Sequence, residues 1–184
     1  MKMDEQLDNG DTFGAVKTSI TADETAETLH DRLAALAAVA LPDALISYLE
    51  GHAHLVPQDH ANATFTKMLS REDGRIDWND PSIKIERMIR AFYPWPACYA
   101  ELDGMRTKIL QSRVDGFTIL PAGTWSTHNG LPAVTFGDGR AIILERVQPE
   151  GRPAMDGSAF LRGRRSSIPS TSGTADRADD SHTA

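Results

Sequence analysis

Apolar residues recur at Ile85, Met88, Ile89 and Phe92, the i, i+3, i+4, i+7 spacing of one helix face. Asp80-Pro81 just ahead predicts where that helix starts, because an Asp oxygen can accept orphan N–H groups and Pro tolerates the first helical position. Tyr93-Pro94-Trp95-Pro96 predicts its end. A residue before proline is pushed towards extended backbone, so two such pairs build a stiff corner carrying two aromatic rings. Beyond this point the period changes from 3.6 to 2. Strands are predicted over 98–101, 107–114, 123–127, 133–136 and 141–147, with Asp103-Gly104, Asn129-Gly130 and Asp138-Gly139 as turns. Short strands joined by tight turns predict a small β-barrel of the oligonucleotide-binding type, with a closing helix over 155–161.

The N-terminal pattern differs. Residues 1–11 read as a loop with a turn at Asn9-Gly10, and 13–20 as a weakly alternating strand. Thr21 and Glu24 have capping-box spacing. Leu29, Leu33 and Leu36 then line a helix to about residue 40. Pro42 is expected to break it, with Leu41, Leu45, Ile46 and Leu49 forming a second short helix that ends at Gly51. One strand and two helices cannot enclose a core, since the strand's ladder groups and each helix stripe need partners. Residues 1–51 are therefore expected to be the C-terminal remnant of a larger α/β domain. The predicted organisation continues with a linker over 52–66, the barrel over 67–165 and a disordered tail over 166–184, where apolar periodicity is lost.

Composition adds limits. The 184 residues are 40% apolar, enough for a core. No apolar run is expected to approach the ~20 residues of a membrane span, and the acidic N-terminus lacks the apolar stretch of a signal peptide. The single Cys98 rules out an internal disulfide, fits a reducing cytoplasm and reads as a small buried strand residue. The net charge of −7 divides into −8 over residues 1–60, +3 over 61–165 and −2 over the tail. A basic middle section is compatible with nucleic-acid contact, and equally with a solvated surface. His52, His54 and His60 lack carboxylate or Cys partners at ligand spacing, so no metal is expected.

Five segments carry a family likeness: LDNGD, ITADETAETLHDRL, RIDW, IRAFYPWP and GDGRAIILERVQPEGRPAMDGSAFLRG. In this order they resemble the C-terminal half of methionyl-tRNA formyltransferase, over about residues 3–165. RIDW, IRA and PWP also occur in related sugar-nucleotide formyltransferases, whereas the distal QPEGRPAM…FLRG element looks more like the tRNA enzyme. The resemblance implies that the remnant belongs to a Rossmann-like formyltransferase domain. It also implies 10-formyltetrahydrofolate as co-substrate and initiator methionyl-tRNA as partner, with cytoplasmic location and neither membrane nor protein partner inferred.

In that family an Asn and a His stabilise the oxyanion formed as the methionyl amine attacks the formyl carbon, and an Asp orients the His. The matching LDNGD segment carries the Asp role to Asp8, which otherwise reads as a turn residue beside Asn9-Gly10. The Asn-x-His segment has no counterpart in the sequence, so the expectation is an N-terminally truncated enzyme without activity by itself. A nucleic-acid-binding module without catalysis and a sugar-nucleotide N-formyltransferase fragment stand as alternatives. For tRNA phosphates the candidates are Arg162, Arg164 and Arg165, then Lys84, Arg87 and Arg90 on the predicted helix, with Arg106, Lys108 and Arg113 as weaker ones. Trp78 and Trp95 could stack on bases, but each sits inside a structural signal and reads as a core or corner residue.

Overall fold

The structure is a computed structural model that describes residues 1–102 and 104–164. Asp103 of the first predicted turn, Arg165 and the tail expected to be disordered lie outside the described residues. The chain divides into two compact units, one ending at Leu69 and the other beginning at Ser70.

The first unit is organised by one long helix, α1, over Ala26–Leu49. Pro42 sits inside it and does not end it, which corrects the two-helix expectation. Pro42 lacks the N–H that would bond the carbonyl four residues earlier. No residue of α1 is buried, so that carbonyl is open to solvent and the interruption is tolerated. The cap is also displaced. Thr25, not Thr21, begins the helix, with reciprocal bonds from Thr28 N to Thr25 Oγ1 (3.2 Å) and from Thr25 N to Thr28 Oγ1 (3.0 Å). Glu24 instead accepts from Thr21 N (2.9 Å) and grips Arg32 with both carboxylate oxygens, at 2.6 and 2.9 Å. The Arg32 bond, seconded by that of Thr21, holds the Glu24 carboxyl below its usual range.

The strand expected over 13–20 does not form. Among the described residues of this unit the only β pairing is the bridge between Thr12 and Val56, whose N–H···O bonds are both 2.9 Å. Without a neighbouring strand, an extended segment leaves its ladder groups to water. Phe13 stacks on Tyr48 with ring centres 4.7 Å apart. Asp43 is the only charged residue between Leu33 and Leu49. Contrary to the expectation from apolar runs, α1 is long and apolar enough, by length and composition alone, to cross a membrane.

The second unit is an antiparallel sheet with helices on its core face. Its strands are β1 (Cys98–Leu102), β2 (Met105–Phe117), β3 (Trp125–His128), β4 (Leu131–Thr135), β5 (Arg140–Pro149) and β6 (Met155–Asp156). They run in the order β1-β2-β5-β4-β3, with β6 beside β5. The hairpin turns fall where Gly or Asn supplies positive φ: Asn129 and Gly130 at 49° and 77°, and Gly139 at 73°. No pairing between β1 and β3 closes this sheet among the described residues. The closing helix is shorter than expected: Met155-Asp156 pair as β6, and only Gly157–Arg162 forms helix α3.

Helix α2, Ser82–Ala91, follows the predicted periodicity. Ile85 and Ile89 are buried, and Met88 and Phe92 pack at the margin of the same core. That core joins them to Ile109 of β2, Val134 of β4, Ile142 and Leu144 of β5 and Phe160 of α3. Ala141 to Leu144 are all buried, because central β5 is covered on both faces. Trp78 belongs to the core margin, edge-on to Phe136 at 5.2 Å between ring centres. Cys98 is buried as expected, and burial pushes its thiol pKa up to about 12.

The start of α2 corrects one detail. Pro81 is the N-cap and offers no side chain, while Asp80 pairs with Lys84 at 2.7 Å. The capping carboxylate comes from the β4–β5 hairpin: Asp138 Oδ2 accepts from Ser82 N (2.9 Å) and Ser82 Oγ (2.8 Å). The Asp138-Gly139 turn thus also caps a helix 56 residues earlier.

Candidate nucleic-acid interface

The predicted site residues fall in several places. Asp8 lies in the first unit, exposed, with φ of 55°, next to the Asn9-Gly10 turn. Gln58 Nε2 donates to the carbonyls of Asp8 (2.9 Å) and Gly10 (2.7 Å), so the backbone of this loop is held, while the Asp8 carboxylate has no hydrogen-bond or ion-pair partner among the described residues. A Cβ at Gly10 would lie 2.0 Å from the Lys2 carbonyl, which explains the glycine. The described residues hold no cluster of His, Cys, Asp or Glu that could bind a metal ion.

The cations of the second unit divide by what faces them. On α2, Lys84 is paired with Asp80, and Arg90 binds Glu86 through Nε and Nη2 at 2.7 and 3.2 Å. Arg87 is exposed between them. Arg113 on β2 pairs with Glu145 across the sheet at 3.0 Å. At the end of α3, Arg162 is exposed, whereas Arg164 Nη1 donates to the Leu102 carbonyl (2.9 Å) and its guanidinium lies 5.1 Å from the Phe160 ring centre. Arg164 thereby ties the end of α3 to the end of β1.

A different group of cations meets at a cleft of about 390 Å³ on the outer side of the β1–β2 hairpin. Thr107 and Ile109 point into the unit, so the alternation of β2 turns Arg106 and Lys108 outward. Lys108 stands opposite Tyr99 on β1 and Gln148 on β5. Arg106 lies over the Tyr99 ring, 3.8 Å from its centre. Tyr99 Oη donates to Glu72 (3.0 Å), which fixes the ring, and burial followed by that bond raises the phenol pKa. The far wall is the Trp95-Pro96 corner, in which Pro96 is buried and Trp95 is 56% exposed. Both X-Pro peptide bonds of the corner are cis. Arg71 and Glu150 complete the charged lining.

Arg71, Arg106 and Lys108 form no ion pair among the described residues, in contrast to Lys84, Arg90 and Arg113. The sequence does not single out Arg71, and it offers Trp95 as a corner residue with base stacking as the alternative. Tertiary structure brings them together: Arg75 bridges to Tyr99 in parallel, which lays the Arg71–Gly74 turn beside β1. The signals in the sequence are a Trp held between two prolines and the hairpin cations Arg106 and Lys108, with nothing to join them. A second cleft, sharing Tyr99, Arg106 and Glu150, adds Glu72, Asp77 and Glu101 and is mainly acidic.

Comparison with known proteins places this unit in a family. The formyl transferase C-terminal domain matches residues 68–165, more than half of the chain. The chain belongs to the formyl transferase C-terminal domain family. Among full-length relatives it is 40% identical over 169 residues to a protein named methionyl-tRNA formyltransferase from an Anaeromyxobacter species (strain K). That match covers 90% of this chain and 54% of the relative, so the chain spans about half the length of the curated relatives it matches. Among solved structures, HypX from Aquifex aeolicus has a similar fold, with a TM-score of 0.65 at 13% identity, covering 98% of this chain and 34% of that one. WlaRD, a sugar 3N-formyl transferase solved in the presence of dTDP and 5-N-formyl-THF, follows at a TM-score of 0.57 and 17% identity, covering 82% and 53%.

Proposed function

We propose that this chain is the tRNA-facing portion of a methionyl-tRNA formyltransferase. The complete enzyme would transfer a formyl group from 10-formyltetrahydrofolate to the amino group of methionyl initiator tRNA in the cytoplasm. The observation that carries this reading is the 40% identity, over 90% of the chain, to a protein of that name. Residues 1–51 then contribute the last part of a Rossmann-like catalytic domain, 52–66 a linker, and 67–165 the nucleic-acid-binding domain, its open sheet derived from an oligonucleotide-binding barrel.

Asp8 takes the role of the carboxylate that orients a catalytic His and helps move the proton from the attacking amine. The sequence has no Asn-x-His segment, and removal of even one oxyanion donor typically lowers kcat about 10²–10³-fold. The chain by itself is therefore expected to bind tRNA and not to formylate it. Unpaired Arg71, Arg106 and Lys108, with exposed Arg87 and Arg162, are available for phosphates. Arg164 supports the fold as well, and Lys84 and Arg90 would exchange a carboxylate for a phosphate. Arg165 remains a phosphate candidate on its position in the sequence.

The test is formylation of methionyl initiator tRNA with 10-formyltetrahydrofolate, by the chain alone and with a formyltransferase N-terminal half supplied as a separate polypeptide. The expectation is salt-sensitive tRNA binding without turnover by the chain, and turnover that depends on Asp8 once the other half is present. Turnover by the chain alone would overturn the inactivity, and an Asp8→Asn variant as active as the parent would remove Asp8 from the site. The cations gathered at the cleft, Arg71, Arg106 and Lys108, also suit a second reading, a binding module without catalysis. Failure of the combined halves to formylate, with tRNA binding intact, would support it.

A further inference from the structure

We infer that the cleft between the Trp95-Pro96 corner and the β1–β2 hairpin holds an unpaired nucleotide of RNA, with its base on Trp95 and its phosphate near Arg106, Lys108 and Arg71. This rests on the tRNA reading and deepens it, because the family match assigns no nucleotide to this cleft and the sequence names only Arg106 and Lys108 of its cations, as weaker phosphate candidates.

Three features combine. The first is the indole. A Trp that is 56% exposed leaves a large apolar face in water, yet here it is anchored through buried Pro96 to the β1 core. The flanking prolines restrict the backbone, so little freedom is left to lose when a ring stacks on it. Stacking on an aromatic side chain suits any base and needs that base to be unpaired.

The second feature is charge. Arg71, Arg106 and Lys108 converge on this cleft without an ion pair among the described residues, whereas Lys84, Arg90 and Arg113 are each held by a carboxylate. Glu150 is the one carboxylate in the lining, so the balance there is three cations against one anion. Arg87 and Arg162 are exposed singly, whereas three such cations line this one cleft. The neighbouring acidic cleft lined by Glu72, Asp77 and Glu101 would repel the backbone and so limit the direction in which the strand can leave.

The third feature is shape and stiffness. At about 390 Å³ the cleft falls within the ~300–1,000 Å³ range of small-ligand sites. A concave site of that size admits a nucleotide and not the surface of a duplex. Its floor is preformed, since the Glu72 bond to Tyr99 holds the ring on which Arg106 rests.

The experiment uses the full chain, with tryptophan fluorescence and equilibrium binding of a single-stranded ribo-oligonucleotide, the same sequence as a duplex, deacylated tRNA and inorganic phosphate. The oligonucleotide should quench fluorescence in the parent and not in Trp95→Phe, which leaves Trp78 and Trp125 as reporters of the fold. Trp95→Ala should weaken oligonucleotide binding roughly 5- to 150-fold. Lys108→Gln should lower the slope of log affinity against log salt by about 0.7, the value for one phosphate on a single strand. The duplex should leave Trp95 unquenched, and phosphate alone should bind too weakly to protect it.

Equal quenching in Trp95→Phe, or Trp95→Ala affinity within twofold of the parent, would overturn the inference. If Trp95→Ala fails to fold, the Trp95→Phe quenching and the Lys108→Gln slope decide it. Binding of tRNA that ignores all three substitutions would sink the cleft and leave the proposed function standing. Oligonucleotide binding without any tRNA binding would do the reverse.

Discussion

Removing the Asp138 carboxylate tests whether the β4–β5 hairpin really holds the start of α2. Both the backbone N–H and the hydroxyl of Ser82 donate to the same oxygen, Asp138 Oδ2, and Ser82 is fully buried. Losing an N-cap acceptor costs roughly 0.5–2 kcal/mol, and a hydrogen bond to a charged acceptor is worth roughly 1.5–3 kcal/mol. The two share one oxygen and are not additive. Asp138 itself is exposed, so water can partly replace it. Asp138→Ala is therefore expected to destabilise by about 2 kcal/mol, the middle of those ranges. Asp138→Asn, which keeps one carbonyl oxygen, should lose about half as much. Asp80→Ala is the control: it removes only an exposed i,i+4 pair with Lys84, worth about 0.5 kcal/mol or less.

Urea unfolding of the full chain, followed by far-UV circular dichroism, supplies these differences. Burial raises the Asp138 pKa, but the bonds from Ser82 Oγ, Ser82 N and Arg140 N outweigh it and hold the group below its ordinary 3.8. A lowered folded pKa means the contribution is complete above the ordinary value and is lost as pH falls through the lower one. The gap between parent and Asp138→Asn should accordingly be constant near neutrality and close below about pH 4. A parent and an Ala variant within 0.5 kcal/mol, or an Asp80→Ala effect as large as that of Asp138→Ala, would refute the assignment of the cap.

Gly157→Ala should be strongly disruptive, because a Cβ there would lie 2.0 Å from the Leu144 carbonyl; a cost of roughly 1–3 kcal/mol in urea unfolding is expected, and an unchanged midpoint would show that α3 can shift away from β5. Cys98, buried and with its thiol pushed up to about 12, should resist thiol reagents at pH 8 in the folded chain and react quickly in urea. Fast labelling under native conditions would place it outside the core. In the first unit, exposed Val39 and Leu41 should support binding of an apolar dye, and replacing both with Glu should lower that signal while leaving the unfolding of the second unit unchanged.

Much of the second unit was legible because its signals are local. The stripe at Ile85, Met88, Ile89 and Phe92 survives folding, since a helix face depends only on spacing along the chain. The Asn129-Gly130 turn does too, since positive φ is a property of its own residues. The same holds for burial of Cys98 and for the family likeness, which rests on ordered segments and not on their arrangement.

Where local signals compete, the sequence misled. Asp80-Pro81 and Thr21 looked like caps, yet a cap is whichever acceptor reaches the orphan N–H groups, and Asp138 and Thr25 reach them. Pro42 looked like a break, yet α1 runs through it because its surroundings leave the freed carbonyl in water. The cations were the least legible of all. Lys84, Arg87 and Arg90 stood out by helical spacing, but local carboxylates neutralise two of them. Arg71, Trp95, Arg106 and Lys108 are scattered over 38 positions and share no period. The sequence by itself determined the periodic elements, their turns and the family. Only the tertiary structure decided which charges are left unpaired and gathered beside Trp95, because pairing depends on distances in space that spacing along the chain does not encode.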